Sequence, residues 1–100
     1  MTHLSCILAR MSQWGFLTNH ALALVCIARE PGARMREIAD CLGVTERAAH
    51  RIVCDLCESG YVTKSRVGTR NRYEVNLDGD LRHPLAGGVP VRDLVERLAA

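Results

Sequence analysis

Residues 35–60 read MREIADCLGVTERAAHRIVCDLCESG, and their spacing decides the fold. Ile38, Ala39 and Leu42 fall on one face of a first helix. Gly43 follows, and glycine accepts without strain the positive φ with which a helix stops and the chain reverses. Thr45 stands where a second helix wants an N-cap hydroxyl. Glu46 comes next, in the first turn, where a carboxylate suits the helix dipole. Ala49, Ile52, Val53 and Leu56 then recur at three- and four-residue spacing, the inner face of that second helix. Val44 plugs the turn, while Ala39 and Ala49 are small enough to let the two axes approach closely.

The outward positions of the second helix are Glu46, Arg47, His50 and Arg51, with Cys54 one turn on. A short, polar, partly basic face at the front of a helix that follows a tight turn is the pattern of a helix-turn-helix recognition helix. A plain two-helix hairpin shows the same spacing, so the flanks matter. After Gly60 the period changes to two. Tyr61, Thr63 and Ser65 alternate with Val62, Lys64 and Arg66; Gly68 marks a turn; Arg72, Glu74 and Asn76 alternate with Tyr73, Val75 and Leu77. This predicts a β-hairpin with a basic tip. Between residues 64 and 72 stand four basic residues, Lys64, Arg66, Arg70 and Arg72, and no acidic one. Such a run also protects an exposed strand edge. Beside a recognition helix it points to phosphate.

Upstream, Thr18 is placed to cap the segment NHALALVCIARE, which is apolar nearly all round and predicts a central buried helix ended by Pro31-Gly32. Residues 33–35 then form a short extended link, with room for one bridge of a small sheet. Residues 2–13 carry Leu4, Ile7, Leu8 and Met11 on one stripe, and the rings of Trp14 and Phe16 are expected to cover an end of the core. Downstream, residues 78–88 read as a loop whose His83, Pro84 and Leu85 dock on the body. From Pro90, a favourable first helical residue, a last helix carries Val91, Leu94, Val95 and Leu98. The predicted class is mainly α with a small β-hairpin: a winged helix-turn-helix, three-helix core plus wing, with extra N- and C-terminal helices for dimerisation across a two-fold axis. One domain spans residues 1–100: an N-terminal helix and connector over 1–17, a winged-helix core over 18–77, and a loop and C-terminal helix over 78–100.

Composition bounds the function. One hundred residues, 48% hydrophobic and 24% charged, describe a single ordinary globular domain. A net charge of +2 does not by itself argue for nucleic acid. The five cysteines, Cys6, Cys26, Cys41, Cys54 and Cys57, are odd in number and scattered over helical segments without a signal peptide. They read as reduced thiols of a cytoplasmic protein. No apolar run approaches the roughly 18 residues of a membrane span. No Gly-rich phosphate loop, carboxylate pair or Ser/His/Asp spacing suggests an enzyme. Cys54-x-x-Cys57 with His50 offers a partial zinc set, set against a plainer reading as small residues on a helix flank.

Residues 21–75, above all REIADCLGVTERAAHRIVCDL, ESGYV and GTRNRYEV, resemble the DNA-binding region of bacterial winged helix-turn-helix transcriptional regulators of the MarR and ArsR type. The resemblance covers roughly residues 18–77. It implies a homodimer on a pseudo-palindromic double-stranded DNA operator. It implies Thr45, Glu46, Arg47, His50 and Arg51 at the major groove, and Lys64, Arg66, Arg70 and Arg72 on the wing, reaching phosphates or the minor groove. No cofactor, metal or catalytic residue is expected. The short ends depart from the MarR pattern and leave a ligand pocket in question, and Cys41 stands alone where ArsR arsenic sensors carry Cys-x-Cys. Two alternatives remain: a winged-helix protein-interaction module without an operator, and a thiol- or metal-responsive repressor using Cys54 and Cys57.

Overall fold

A computed structural model describes residues 15–99. The helices are α1 (Asn19–Arg29), α2 (Met35–Leu42), α3 (Glu46–Glu58) and α4 (Val91–Ala99); the strands are β1 (Val62–Val67) and β2 (Arg70–Val75), and a 3-10 turn covers Pro84–Ala86. The stripe predicted over residues 2–13, and Trp14, lie outside the described residues.

The turn between α2 and α3 forms as its residues require. Gly43 takes φ +72°. Its N–H donates to the Asp40 carbonyl, and the Val44 N–H to the Ala39 carbonyl. This double closure is a Schellman motif, and it satisfies carbonyls that the end of α2 leaves free. Thr45 then caps α3, its Oγ1 accepting from the Ala48 N–H at 3.1 Å. At the start of α1, Thr18 Oγ1 accepts from the Ala21 N–H in the same way.

The core joins Ala23, Leu24 and Ile27 of α1 to Ile38 and Ala39 of α2, to Ala49, Ile52, Val53 and Leu56 of α3, and to Val62 and Tyr73 of the hairpin. Helix α1 touches α2, α3, α4 and β2, so it is the central helix. Val44 packs half-buried beneath the turn.

The hairpin pairs antiparallel, from Val62 opposite Val75 to Val67 opposite Arg70. Directly opposed residues share a face, so Val62, Lys64 and Arg66 lie with Val75, Tyr73 and Asn71. Thr63, Ser65 and Val67 lie with Glu74, Arg72 and Arg70. Beyond the hairpin, β2 reaches the α1–α2 connector through the Tyr73 N–H, which donates to the Pro31 carbonyl at 3.2 Å. That single bond, at Pro31, replaces the bridge expected at residues 33–35.

Three expectations need correction. The Phe16 ring is 91% exposed and covers no end of the core. Leu85 is likewise 92% exposed, and the His83 ring turns back to accept from the Leu85 N–H instead of docking on the body. Helix α4 starts at Val91, while Pro90 forms an isolated bridge with Asp80. The α4 stripe is also divided. Val91 and Val95 are buried in the molecule's own core, Leu94 is half-buried and Leu98 is exposed. No described helix is long and apolar enough to cross a membrane.

Candidate nucleic-acid interface

Helix α3 buries Ala49, Ile52, Val53 and Leu56 and thereby turns the opposite positions outward. Glu46, Arg47, His50 and Arg51 are all exposed, as is Thr45 at the cap. An open groove of about 930 Å³ runs along this front, lined by Met35 of α2 and by Thr45, Arg47, His50 and Arg51. Neither arginine is neutralised by its helix neighbours. Asp55, one turn beyond Arg51, is held instead by His20 of α1, Nε2 to Oδ2 at 2.9 Å. Among the described residues the ion pairs between arginine or lysine and a carboxylate are those of Arg92 with Asp78 and Glu96.

The hairpin stands beside this face. A cleft of about 250 Å³ brings His50 next to Arg34, Met35, Arg70, Asn71 and Tyr73. A second, of about 220 Å³, joins His50 to Cys54, Cys57, Lys64 and Tyr73. His50 therefore lies where the groove of α3 meets both clefts toward the hairpin. A duplex laid along α3 at this point has hairpin residues within reach.

The four hairpin cations are not equivalent. By register Lys64 and Arg66 share the face of Tyr73, the one turned toward α3, and Arg70 and Arg72 fall on the other, but Arg70, at the start of β2, still lines the cleft it shares with His50. Arg70 is also engaged, since its guanidinium donates to the Gly32 carbonyl at 2.8 Å. With the Tyr73–Pro31 bond, this fastens the hairpin to the α1–α2 connector. Arg72 is exposed, and its carbonyl accepts from Ser65 Oγ at 3.5 Å.

Arg34, Met35, Asn71 and Tyr73 line these clefts and were missed as site residues. Asn71 was accessible to sequence reasoning: it stands two before Tyr73 on a strand and so shares its face. Nothing local marks Met35 or Arg34, which come near the hairpin only through the fold.

Cys54 Sγ lies 3.6 Å from His50 Nδ1. Burial pushes the Cys57 thiol up from its ordinary value, and neighbouring Cys54 adds in the same direction. Burial also raises the Tyr73 phenol. Among the described residues no three His, Cys, Asp or Glu side chains are grouped to hold a metal ion.

A helix-turn-helix whose second helix presents a polar front, followed by a hairpin at its flank, defines a winged helix-turn-helix protein. The family model described as "MarR family" matches residues 14–72. The chain belongs to the MarR family, whose members are DNA-binding transcription regulators. A search of curated proteins finds no match to the chain.

Proposed function

We propose that the protein is a cytoplasmic, homodimeric regulator that binds a pseudo-palindromic DNA operator through α3 and the hairpin. Arg47 and Arg51 sit four apart on the exposed face and read guanine O6 and N7 in the major groove. His50 contacts a base edge or phosphate at the joint with the hairpin. Thr45 and Glu46 set the front of the helix, Thr45 as a cap first. Lys64, Arg66 and Arg72 meet phosphates and set register, and Arg70 does so while holding the wing. The observation that carries this reading is the exposed, unneutralised front of α3, joined at His50 to the clefts beside the wing. A two-fold through the remaining apolar surface, where Leu98 is exposed, would set two α3 helices in successive major grooves about 34–36 Å apart.

Selection of bound duplexes from a random pool tests the proposal. The expected product is an inverted repeat with half-sites one helical turn apart. Arg51→Ala should relax preference at one base pair by about 1–3 kcal/mol. An unchanged preference refutes the role given to Arg51, and no retention of any duplex at low salt refutes DNA binding itself.

A further inference from the structure

The second cleft beside the wing, of about 220 Å³, gathers more reactive chemistry than a DNA contact needs. Its walls carry His50, Cys54 and Cys57 of α3 with Lys64 and Tyr73 of the hairpin, and Glu58 is the one carboxylate among them. Cys54 and His50 stand one helical turn apart and both are exposed, with Sγ 3.6 Å from Nδ1. With the imidazole proton on Nε2, the thiol donates to Nδ1. A thiol hydrogen-bonded to a histidine base and open to solvent is the arrangement of an activated sulfur nucleophile. Cys57 differs, because it is half-buried and burial favours its protonated form. Cys41 is also exposed, on α2, but lines neither the groove of α3 nor the clefts toward the hairpin.

We propose that Cys54 is a modification site, capped reversibly by a small-molecule disulfide with His50 as its base, and that the cap closes the wing cleft to DNA. His50 Nδ1 takes the thiol proton as Cys54 Sγ attacks one sulfur of the disulfide. The new Sγ–S bond forms, the disulfide's own S–S bond breaks, and the departing thiolate takes the proton from the imidazolium. One small thiol is released, and the other half stays on Cys54 as a mixed disulfide. The Cys54 sulfur is oxidised as the departing half is reduced. A free small thiol reverses the step by attacking the cap's sulfur and expelling Cys54 as the thiolate.

The consequence for DNA rests on the function proposed above. The cap occupies the cleft between His50 and Lys64, both assigned to the duplex. A cap that bears carboxylates also pairs with the Lys64 ammonium, which then no longer neutralises a phosphate. Loss of that one contact lowers the salt slope by about 0.9 and, at about 100 mM salt, the affinity by about eightfold.

The test treats the reduced full chain with glutathione disulfide, quenches it at intervals with an alkylating agent and maps the peptides by mass spectrometry. Cys41 is the internal reference. Cys54 should gain one glutathione about tenfold faster than Cys41, less than the about 10²–10⁴ of a fully positioned base because both groups are exposed. His50→Gln should bring Cys54 down to the rate of Cys41 and leave Cys41 unchanged. In anisotropy titrations on one duplex, the capped protein should bind about eightfold more weakly at about 100 mM salt, and dithiothreitol should restore the affinity. Cys54→Ser should bind the duplex like the parent and be indifferent to glutathione disulfide. Equal rates at Cys54 and Cys41, a Cys54 rate unmoved by His50→Gln, or a Cys54–Cys57 disulfide in place of the adduct would each overturn the capping site. Capped protein that binds as the reduced protein does would overturn its effect on DNA. Reduced protein that retains no duplex strikes the DNA reading and that effect with it, while the peptide map still decides the capping site.

Discussion

Arg70→Ala and Arg72→Ala separate two ways in which a wing arginine acts. Arg70 holds the Gly32 carbonyl at 2.8 Å, and the Tyr73 N–H adds a backbone bond to Pro31 at 3.2 Å. Removing the Arg70 guanidinium takes away one of these two fastenings. An intramolecular hydrogen bond at a surface contributes about 0.5–1.5 kcal/mol. For a chain of this length that lowers the melting temperature by about 3–8 °C. Arg72 forms no ion pair among the described residues, so its removal should change stability by less than about 0.5 kcal/mol. On DNA, a lost phosphate contact reduces the slope of log affinity against log salt by about 0.9, or about 3.5-fold less loss of affinity between about 50 and 200 mM salt.

Thermal melts followed by circular dichroism, with anisotropy titrations on one duplex across that salt range, measure both quantities. Arg72→Ala should change the slope alone. Arg70→Ala should change the melting temperature and weaken binding to every sequence alike. Arg70→Lys keeps the charge without the planar fork, so it should retain the slope and recover only part of the stability. If Arg70→Ala melts like the parent while Arg72→Ala melts lower, the division of roles between the two residues is wrong.

Gly43→Ala forces a Cβ into φ +72° and should cost about 1–2 kcal/mol; an unchanged denaturant midpoint would contradict the turn. Val95→Ala removes two methyl groups from a side chain 2% exposed and should cost about 2 kcal/mol. On the same helix Leu98→Ala should leave monomer stability within about 0.5 kcal/mol and weaken the dimer in sedimentation; a dimer indifferent to it places the two-fold elsewhere. Burial is the main cause that raises Cys26 from 9.0 to about 12. The folded state therefore holds that proton more tightly than the unfolded chain, and the stability this contributes is complete below pH 9 and lost as pH rises toward 12. Cys26→Ala should flatten part of that alkaline limb in pH-dependent melts, leaving the loss from Tyr73, which is raised in the same sense from 10.0. A limb identical to the parent's would refute the assignment.

The helix-turn-helix was legible because its signals are local. Helical period, a Gly at the reversal and Thr45 at the cap concern neighbours within a turn, and short-range sterics decide them. The wing was legible for the same reason, through its period of two. What could not be read depends on contacts between distant segments. Asp55 has Arg51 one turn away, yet its partner is His20, 35 residues distant. The run from Lys64 to Arg72 looks uniform along the chain. Pairing register divides it between two faces, and one member is drawn to Gly32. The stripe of α4 announces an apolar face without saying what covers it. Its spacing alone could not reveal that Val91 and Val95 pack within the molecule while Leu98 is left outside.

These contacts also bear on how the interface holds its shape. Helix α3 is set by four buried side chains, so its placement resists change at the level of the core. The hairpin is a two-stranded ribbon with most of its surface in solvent, and a lone ribbon is marginal by itself. Its orientation depends on Val62 and Tyr73, which reach the core, and on the bonds to Pro31 and Gly32. The reading head and the wing thus differ in rigidity. The short connector between α1 and α2, far from the exposed front of α3 in the sequence, helps determine how the two meet one duplex. Substitutions in that connector should therefore act on wing contacts and salt dependence more than on base preference.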